Sequence, residues 1–142
     1  MLPSGHVIAS GIFSICVGAY FRSIGCAIVS FTAGVLLDAD HFLDYFANYK
    51  FTFNVRDVYN VCLGTKLNRL YLILHSYEFV VILWAAIFIL RLSNIWVAFA
   101  LGYTQHLLID QMTNHVRPLG YFLIYRMVNG FKKELIVHNL EG

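Results

Sequence analysis

The chain is poor in charge. Only 13% of its 142 residues are Asp, Glu, Lys or Arg, and no basic run is longer than the pair Lys132-Lys133. That scarcity excludes a basic nucleic-acid-binding tail or a polybasic lipid patch. Cysteine is also sparse. Cys16, Cys26 and Cys62 are odd in number and lack CxxC spacing, so neither a disulfide framework nor a thiolate zinc site is indicated, and all three read as small buried apolar residues. No basic stretch precedes the first apolar run, MLPSGHVIASGIFSICVGAY, which argues against a cleaved signal peptide. A Gly-x-Ser-x-Gly elbow is absent, and with it the usual serine-hydrolase nucleophile. There is no internal repeat and no low-complexity stretch.

What is abundant is apolar surface. The hydrophobic share of 59% exceeds the roughly 45–50% of soluble domains, and the length suits one domain. The expectation is a single membrane-embedded domain over 1–142, all-α, built as an integral membrane bundle of about four helices plus a short interfacial C-terminal helix. The four apolar segments are Gly5 to Phe21, Ile24 through Leu37 to about Phe46, Leu70 to Leu90, and Ile95 to about Thr113. Only the third easily reaches the roughly 17–25 residues of a span. The others reach it with their polar ends, which places those ends at headgroup level or in a protein-lined cavity. Asn48 to Asn68 reads as a polar, aromatic loop with a short surface helix near Arg56 to Leu63. GYFLIYRMVNGFKKE, after Pro118, reads as an amphipathic helix lying on the membrane. In this threading Lys50, Arg56, Lys66, Arg69, Arg117, Arg126, Lys132 and Lys133 share one side, and Arg22 and Arg91 the other. Eight against two favours a multi-pass protein of the cell inner membrane with termini and site facing the cytoplasm.

Against this background VLLDADHFLDYF, residues 35–46, stands out. Antiparallel threading brings its Asp38, Asp40, His41 and Asp44 to the same end as His6, His75, Glu78, His106 and Asp110. Residues three or four apart share a helix face: Asp38 with His41, His75 with Glu78, His106 with Asp110. Imidazole and carboxylate pairs from facing helices are how bundles build dimetal sites. Acids inside a bilayer cost roughly 2.5–3.5 kcal/mol each at a helix centre; divalent cations offset that charge, and this donor set suits zinc, manganese or iron. The candidate ligands are therefore His6, Asp38, His41, His75, His106 and Asp110, for a divalent metal, zinc first, in up to two ions. Asp40 and Glu78 are the candidate general bases or further ligands. Each has a plainer reading. Asp40 can orient a ligand imidazole, Glu78 can pair with Arg69, His106 with Asp110 can be a structural hydrogen-bonded pair, and Asp38 and Asp44 can end their helix at the water boundary. His115 and His138 are given no role, and Ser76 reads as a support for the site rather than a nucleophile.

These motifs resemble the membrane-bound metal-dependent hydrolase family, also described as LexA-binding, inner-membrane-associated hydrolases. The resemblance rests on Gly5-His6, Leu37-Asp38-Ala39-Asp40-His41, His75-Ser76, and Gly102 to His106 through Asp110 with Thr113. It covers most of the chain up to about Gly120. Leu37 stands where the family has proline, and Leu70-Tyr71 where many relatives have His-Arg. The resemblance implies a metal-dependent hydrolase of the inner membrane, and a site at headgroup level favours a lipid-linked or membrane-proximal phosphoester. The expected mechanism has the bound metals lower the pKa of a water and polarise a phosphoryl oxygen. The alternatives are a di-iron redox site, a metal transport element and a structural metal site. Membrane lipid is the expected partner; no nucleic acid is expected, and oligomeric state is left open.

Overall fold

The computed structural model describes residues 3–48, 69–114 and 116–137. The expected loop and surface helix between residues 49 and 68 lie outside these, as do Cys62, His115 and His138. The described residues are helical, without a strand, and carry two isolated backbone bridges, Arg69 with Lys132 and Val116 with Val137. Within the stretch read above as one domain, contacts define two compact units, one of residues 1–37 and 77–114 and one of residues 38–76 and 115–142.

The first unit holds four helices: α1 (Pro3–Phe21), α2 (Ile24–Leu36), α4 (Tyr77–Leu90) and α5 (Asn94–Thr113). Two turns of one design make two hairpins. Arg22 (φ 49°) and Arg91 (φ 52°) take the left-handed conformation, and the next amide reaches back five residues, Ser23 to Gly18 and Leu92 to Ile87. This is the Schellman closure, which normally uses glycine at the left-handed position; here an arginine cation sits at the negative end of each helix instead. Ser23 then starts α2 by accepting the Cys26 amide on its side chain. α5 is the central helix, packed against the other three.

Small residues set the helix spacing. A Cβ on Gly102 would lie 2.1 Å from the Ser30 carbonyl oxygen, and one on Gly34 would lie 2.5 Å from Ser10 Oγ. Ala98 and Ala100 are fully buried. Close backbone approach through Gly and Ala is how helices pack where no hydrophobic force separates core from surroundings. Val17, Cys26 and Ala98 form a core near the turns, whereas Cys16 is exposed, contrary to the expectation that every cysteine is buried.

The second unit contains α3 (Asp40–Asn48), the irregular segment 69–76, a 3₁₀ turn at Pro118–Tyr121, α6 (Leu123–Val128) and α7 (Lys133–Ile136). A 3₁₀ turn, Leu37–Ala39, precedes α3. Three expectations are corrected here. The third apolar segment is helical only from Tyr77, because the amides of Tyr71, Leu72 and Leu74 and the carbonyls of Tyr71, Leu72 and His75 are taken by side chains described below. The continuous helix expected over 24–46 is interrupted by the 3₁₀ turn. The C-terminal interfacial helix is several short pieces, closed after α6 by Gly130 (φ 61°) and Phe131 (φ 57°).

Two helical runs, Ser4–Phe21 and Ile24–Ala47, are long and apolar enough to cross a membrane, and α4 is a shorter apolar helix. Of the four expected spans, these two are the candidates by length and composition among the described residues. Replacing Gly102 by Val drives a side chain into the Ser30 backbone and destabilises the protein by about 1–3 kcal/mol, measured as a lowered unfolding temperature in detergent. Gly11→Ala serves as the contrast. Its added Cβ meets nothing closer than Phe31 at 4.0 Å, so the change leaves stability equal or slightly raised.

Candidate metal centres

The six candidate ligands fall into two triads, one in each unit: His6, His106 and Asp110 in the first, Asp38, His41 and His75 in the second. In each, the potential ligand atoms lie within 4.8 Å of one another. These groups are positioned to hold a metal ion, and each triad is two imidazoles and one carboxylate.

In the first unit α1 supplies His6 from its first turn and α5 supplies His106 and Asp110 from its last two, at the end opposite the hairpin turns. All three are buried. Asp110 spans the two imidazoles, with Oδ1 2.9 Å from His6 Nε2 and Oδ2 3.5 Å from His106 Nε2. The rings stack with centroids 4.3 Å apart. A tetrahedral ion with bonds of about 2.0–2.1 Å separates its donors by roughly 3.3 Å, near the 3.5 Å between Asp110 Oδ2 and His106 Nε2. The His106 Nδ1 lies 2.6 Å from the Gly34 carbonyl oxygen, in the last turn of α2, where carbonyls lack a helical partner. A proton on Nδ1 donates to that carbonyl and leaves Nε2 as the coordinating nitrogen, the usual way in which a ligand histidine is fixed in tautomer and orientation. Asn114 also supports the site. It ends α5, and its Nδ2 donates to Asp110 Oδ1 at 2.6 Å. His6 Nδ1 is buried without a hydrogen-bond partner among the described residues. Buried polar atoms of that kind are uncommon and mark places where a water or ion binds.

In the second unit Asp38 comes from the 3₁₀ turn, His41 from α3 and His75 from the irregular segment. Asp38 and His41 are half-buried and His75 is buried. The pairing of His75 with Glu78 on one helix face is corrected, since His75 precedes the helix. Glu78 lies in the first turn of α4, where a carboxylate complements the helix dipole, and it belongs to neither triad.

Asp40 holds His75. Its Oδ2 lies 3.2 Å from His75 Nδ1 and accepts the amides of Leu74 at 2.7 Å and His75 at 3.3 Å. One turn along the same face of α3, Asp44 Oδ1 accepts the amides of Tyr71 and Leu72, both at 2.9 Å. Asp44 is 0% exposed, so its reading as a helix end at the water boundary is corrected. From the C-terminal segment Arg126, 1% exposed, donates to the carbonyls of Tyr71 (2.7 Å), Leu72 (2.6 Å) and His75 (3.0 Å) and to Ser76 Oγ. The threading places Asp44 at the same end as the candidate ligands without a role in the site, and reads Arg126 as part of the amphipathic C-terminal helix. The Ser76 hydroxyl donates to Ile73 O at 2.7 Å, a structural contact. Thr113, the last residue of the family pattern, bonds the Ile109 carbonyl of its own helix.

A groove of about 340 Å³ runs between α1 and α5, lined by Phe13, Leu101, Thr104, Gln105, Leu108 and Ile109. Gln105 and Ile109 adjoin the ligands His106 and Asp110 in sequence.

Comparison with protein-family models, with curated proteins and with solved structures returns no match.

Removing the Asp44 carboxylate leaves two amides of the 71–76 segment without acceptors. Asp44→Ala is expected to destabilise the second unit by about 1–3 kcal/mol. Hydrogen exchange checks this: the Tyr71 and Leu72 amides exchange faster in the variant, while those of α5 are unchanged.

Proposed function

We propose that the chain is a metal-dependent hydrolase of the inner membrane, of the type its motifs resemble, acting on a phosphoester carried by a lipid at the cytoplasmic headgroup level. The observation that carries this reading is the pair of two-histidine, one-carboxylate triads, each with one imidazole anchored through its second ring nitrogen. Three protein ligands per ion are the mark of catalytic zinc sites, which keep a position open for water or substrate; structural sites close all four. Zinc is the first choice of ion, with one in each triad. A divalent ion so held supplies Lewis acidity, lowering the pKa of a water and polarising a phosphoryl oxygen.

The chain's own residues divide the remaining work. Asp40, offered above as a general base, holds His75 and its loop through Oδ2 and acts through that oxygen as the orienting carboxylate, while its Oδ1 is buried with no hydrogen-bond partner among the described residues. Glu78 is the remaining base. It begins α4 at the triad end of the first unit, next to Tyr77, whose hydroxyl bonds Gln111 beside Asp110. Glu78 would accept the proton of the attacking water as the new P–O bond forms and return it to the departing alkoxide oxygen as the ester P–O bond breaks, releasing an alcohol and a phosphate.

The membrane assignment is supported by the exposed apolar residues Val7, Ile8, Ile12 and Ile15 on α1 and Val81, Ile82, Phe88 and Ile89 on α4. An apolar face of that extent on a soluble protein marks an interaction surface; here lipid covers it. The bias of basic residues supports cytoplasmic termini. The groove between α1 and α5 supports a lipid-borne substrate, because its walls are apolar and its volume is at the lower end of the roughly 300–1,000 Å³ of small-ligand sites. The exposed Phe122, Ile124, Met127 and Val128 of the C-terminal segment supply the interfacial contact expected of that region.

The test is elemental analysis of the detergent-purified protein followed by a phosphoester panel with the metal found. The parent carries close to two equivalents of zinc. Asp110→Ala and His41→Ala each lose one and both lose activity. Glu78→Gln retains both ions and lowers kcat by about 10²–10⁴-fold, the usual worth of a general base. A folded parent that binds no metal when supplied with zinc, manganese or iron sinks the proposal. A second reading is favoured by the donor composition itself, since two histidines and one carboxylate also suit non-haem ferrous iron in redox chemistry. Iron in place of zinc, with a visible absorption band, selects that reading.

A further inference from the structure

The segment 71–76 is held from two sides by buried charge. Asp40 and Asp44 take the amides of Tyr71, Leu72, Leu74 and His75, and Arg126 takes the carbonyls of Tyr71, Leu72 and His75. The path so fixed is not one the chain adopts on its own. Leu72 has φ 39°, a left-handed conformation that is an outlier for a bulky residue and persists only where the surroundings over-determine it. The product of this arrangement is the placement of one side chain, His75. Its carbonyl is bonded by Arg126, its amide and ring Nδ1 are bonded by Asp40, and its neighbour Ser76 accepts from the same guanidinium.

Resting on the metal-site reading above, we propose that Arg126, some fifty residues away in sequence, is a positioning residue for the Asp38, His41 and His75 metal site. Arginine is the side chain this task requires. Its planar fork presents five donors in fixed directions, whereas lysine offers a compact point charge. Four acceptors arranged around one buried group call for the fork. The two carboxylates set which way the loop's amides face, and the guanidinium sets which way its carbonyls face. With both sides fixed, the His75 imidazole is delivered toward Asp38 and His41 without the ring having to search for its orientation. Removing the guanidinium leaves three carbonyls to find other donors and releases the backbone that carries the ligand.

The test is Co²⁺ binding by the full chain in detergent, followed by the visible absorption of the bound ion. It is done in a His106→Ala background so that only the second triad is read. The expected result is one Co²⁺ equivalent in the background protein and a dissociation constant raised about 10–100-fold by Arg126→Lys, the usual effect of losing a group that orients a metal ligand. A merely structural role predicts something else: a lower unfolding temperature with the Co²⁺ dissociation constant of the folded protein unchanged. That result overturns the proposal. Where Arg126→Lys does not fold, Ser76→Ala is read in its place. It removes one of the four acceptors and leaves the guanidinium; weakened Co²⁺ binding supports the proposal and unchanged binding overturns it. A folded background protein that takes up no Co²⁺ overturns the metal reading itself, and this inference with it. One equivalent bound equally well with and without Arg126 overturns this inference alone.

Discussion

Two carboxylates one helical turn apart, Asp40 and Asp44, accept four backbone amides of a segment that is neither helix nor strand, and the organisation of the second unit follows from that. Backbone donors removed from water must be paired, and this segment pairs few of its own, the His75 amide with the Leu72 carbonyl and the Ser76 amide with the Leu74 carbonyl. α3 supplies the acceptors because i and i+4 carboxylates point the same way and are spaced like the amides of an irregular chain. The negative charge brought inside is met by Arg126, whose donors turn to the other edge of the same segment. Buried charge is costly unless opposite charge and hydrogen bonds answer it, and here each of the three groups hydrogen-bonds at least two groups of the same segment. The result is a loop with little freedom, which is what a ligand-bearing loop needs.

The first unit reaches a comparable end by different means. Its ligands lie on regular helices, so precision depends on how closely the helices approach. Gly102 against Ser30 and Gly34 against Ser10 bring α5 and α1 tightly onto α2. That closeness places the Gly34 carbonyl within reach of His106. Helix packing and histidine orientation are thus linked: a carbonyl in the last turn of α2 is the acceptor that a proton on His106 Nδ1 reaches. Each triad therefore has its own outer support, a peptide carbonyl in one and a carboxylate in the other.

Much of this was legible in the residues. The apolar segments starting near Gly5, Ile24 and Ile95 are α1, α2 and α5. His106 and Asp110 share a helix face as their spacing implied, and His6 meets them. The segment from Leu70 was misread because Leu, Tyr and Ile carry no sign of whether their amides bond along a helix or to side chains elsewhere. Only the distant Asp40, Asp44 and Arg126 decide that. Arg126 itself, inside LIYRMVNG, has the composition of a membrane-surface helix; its burial depends on partners fifty residues upstream. The division of six ligands between two units was likewise invisible, because periodicity assigns residues to faces and ends of helices and does not say which ends meet.

His6 and Asp110 are separated by more than a hundred residues, and this has a consequence for how the protein is made. At roughly 5–20 residues per second of synthesis, α1 waits about 5–20 seconds for the carboxylate that its histidine faces in the finished unit. During that interval the helix carries a polar ring with nothing to answer it. The contact that closes the first unit is among the most non-local in the chain, and such contacts form late because the loop between them must be ordered first. The first triad therefore exists only once nearly the whole described chain has been produced and α5 has docked. An ion held there would report closure of the first unit and could not guide its early steps.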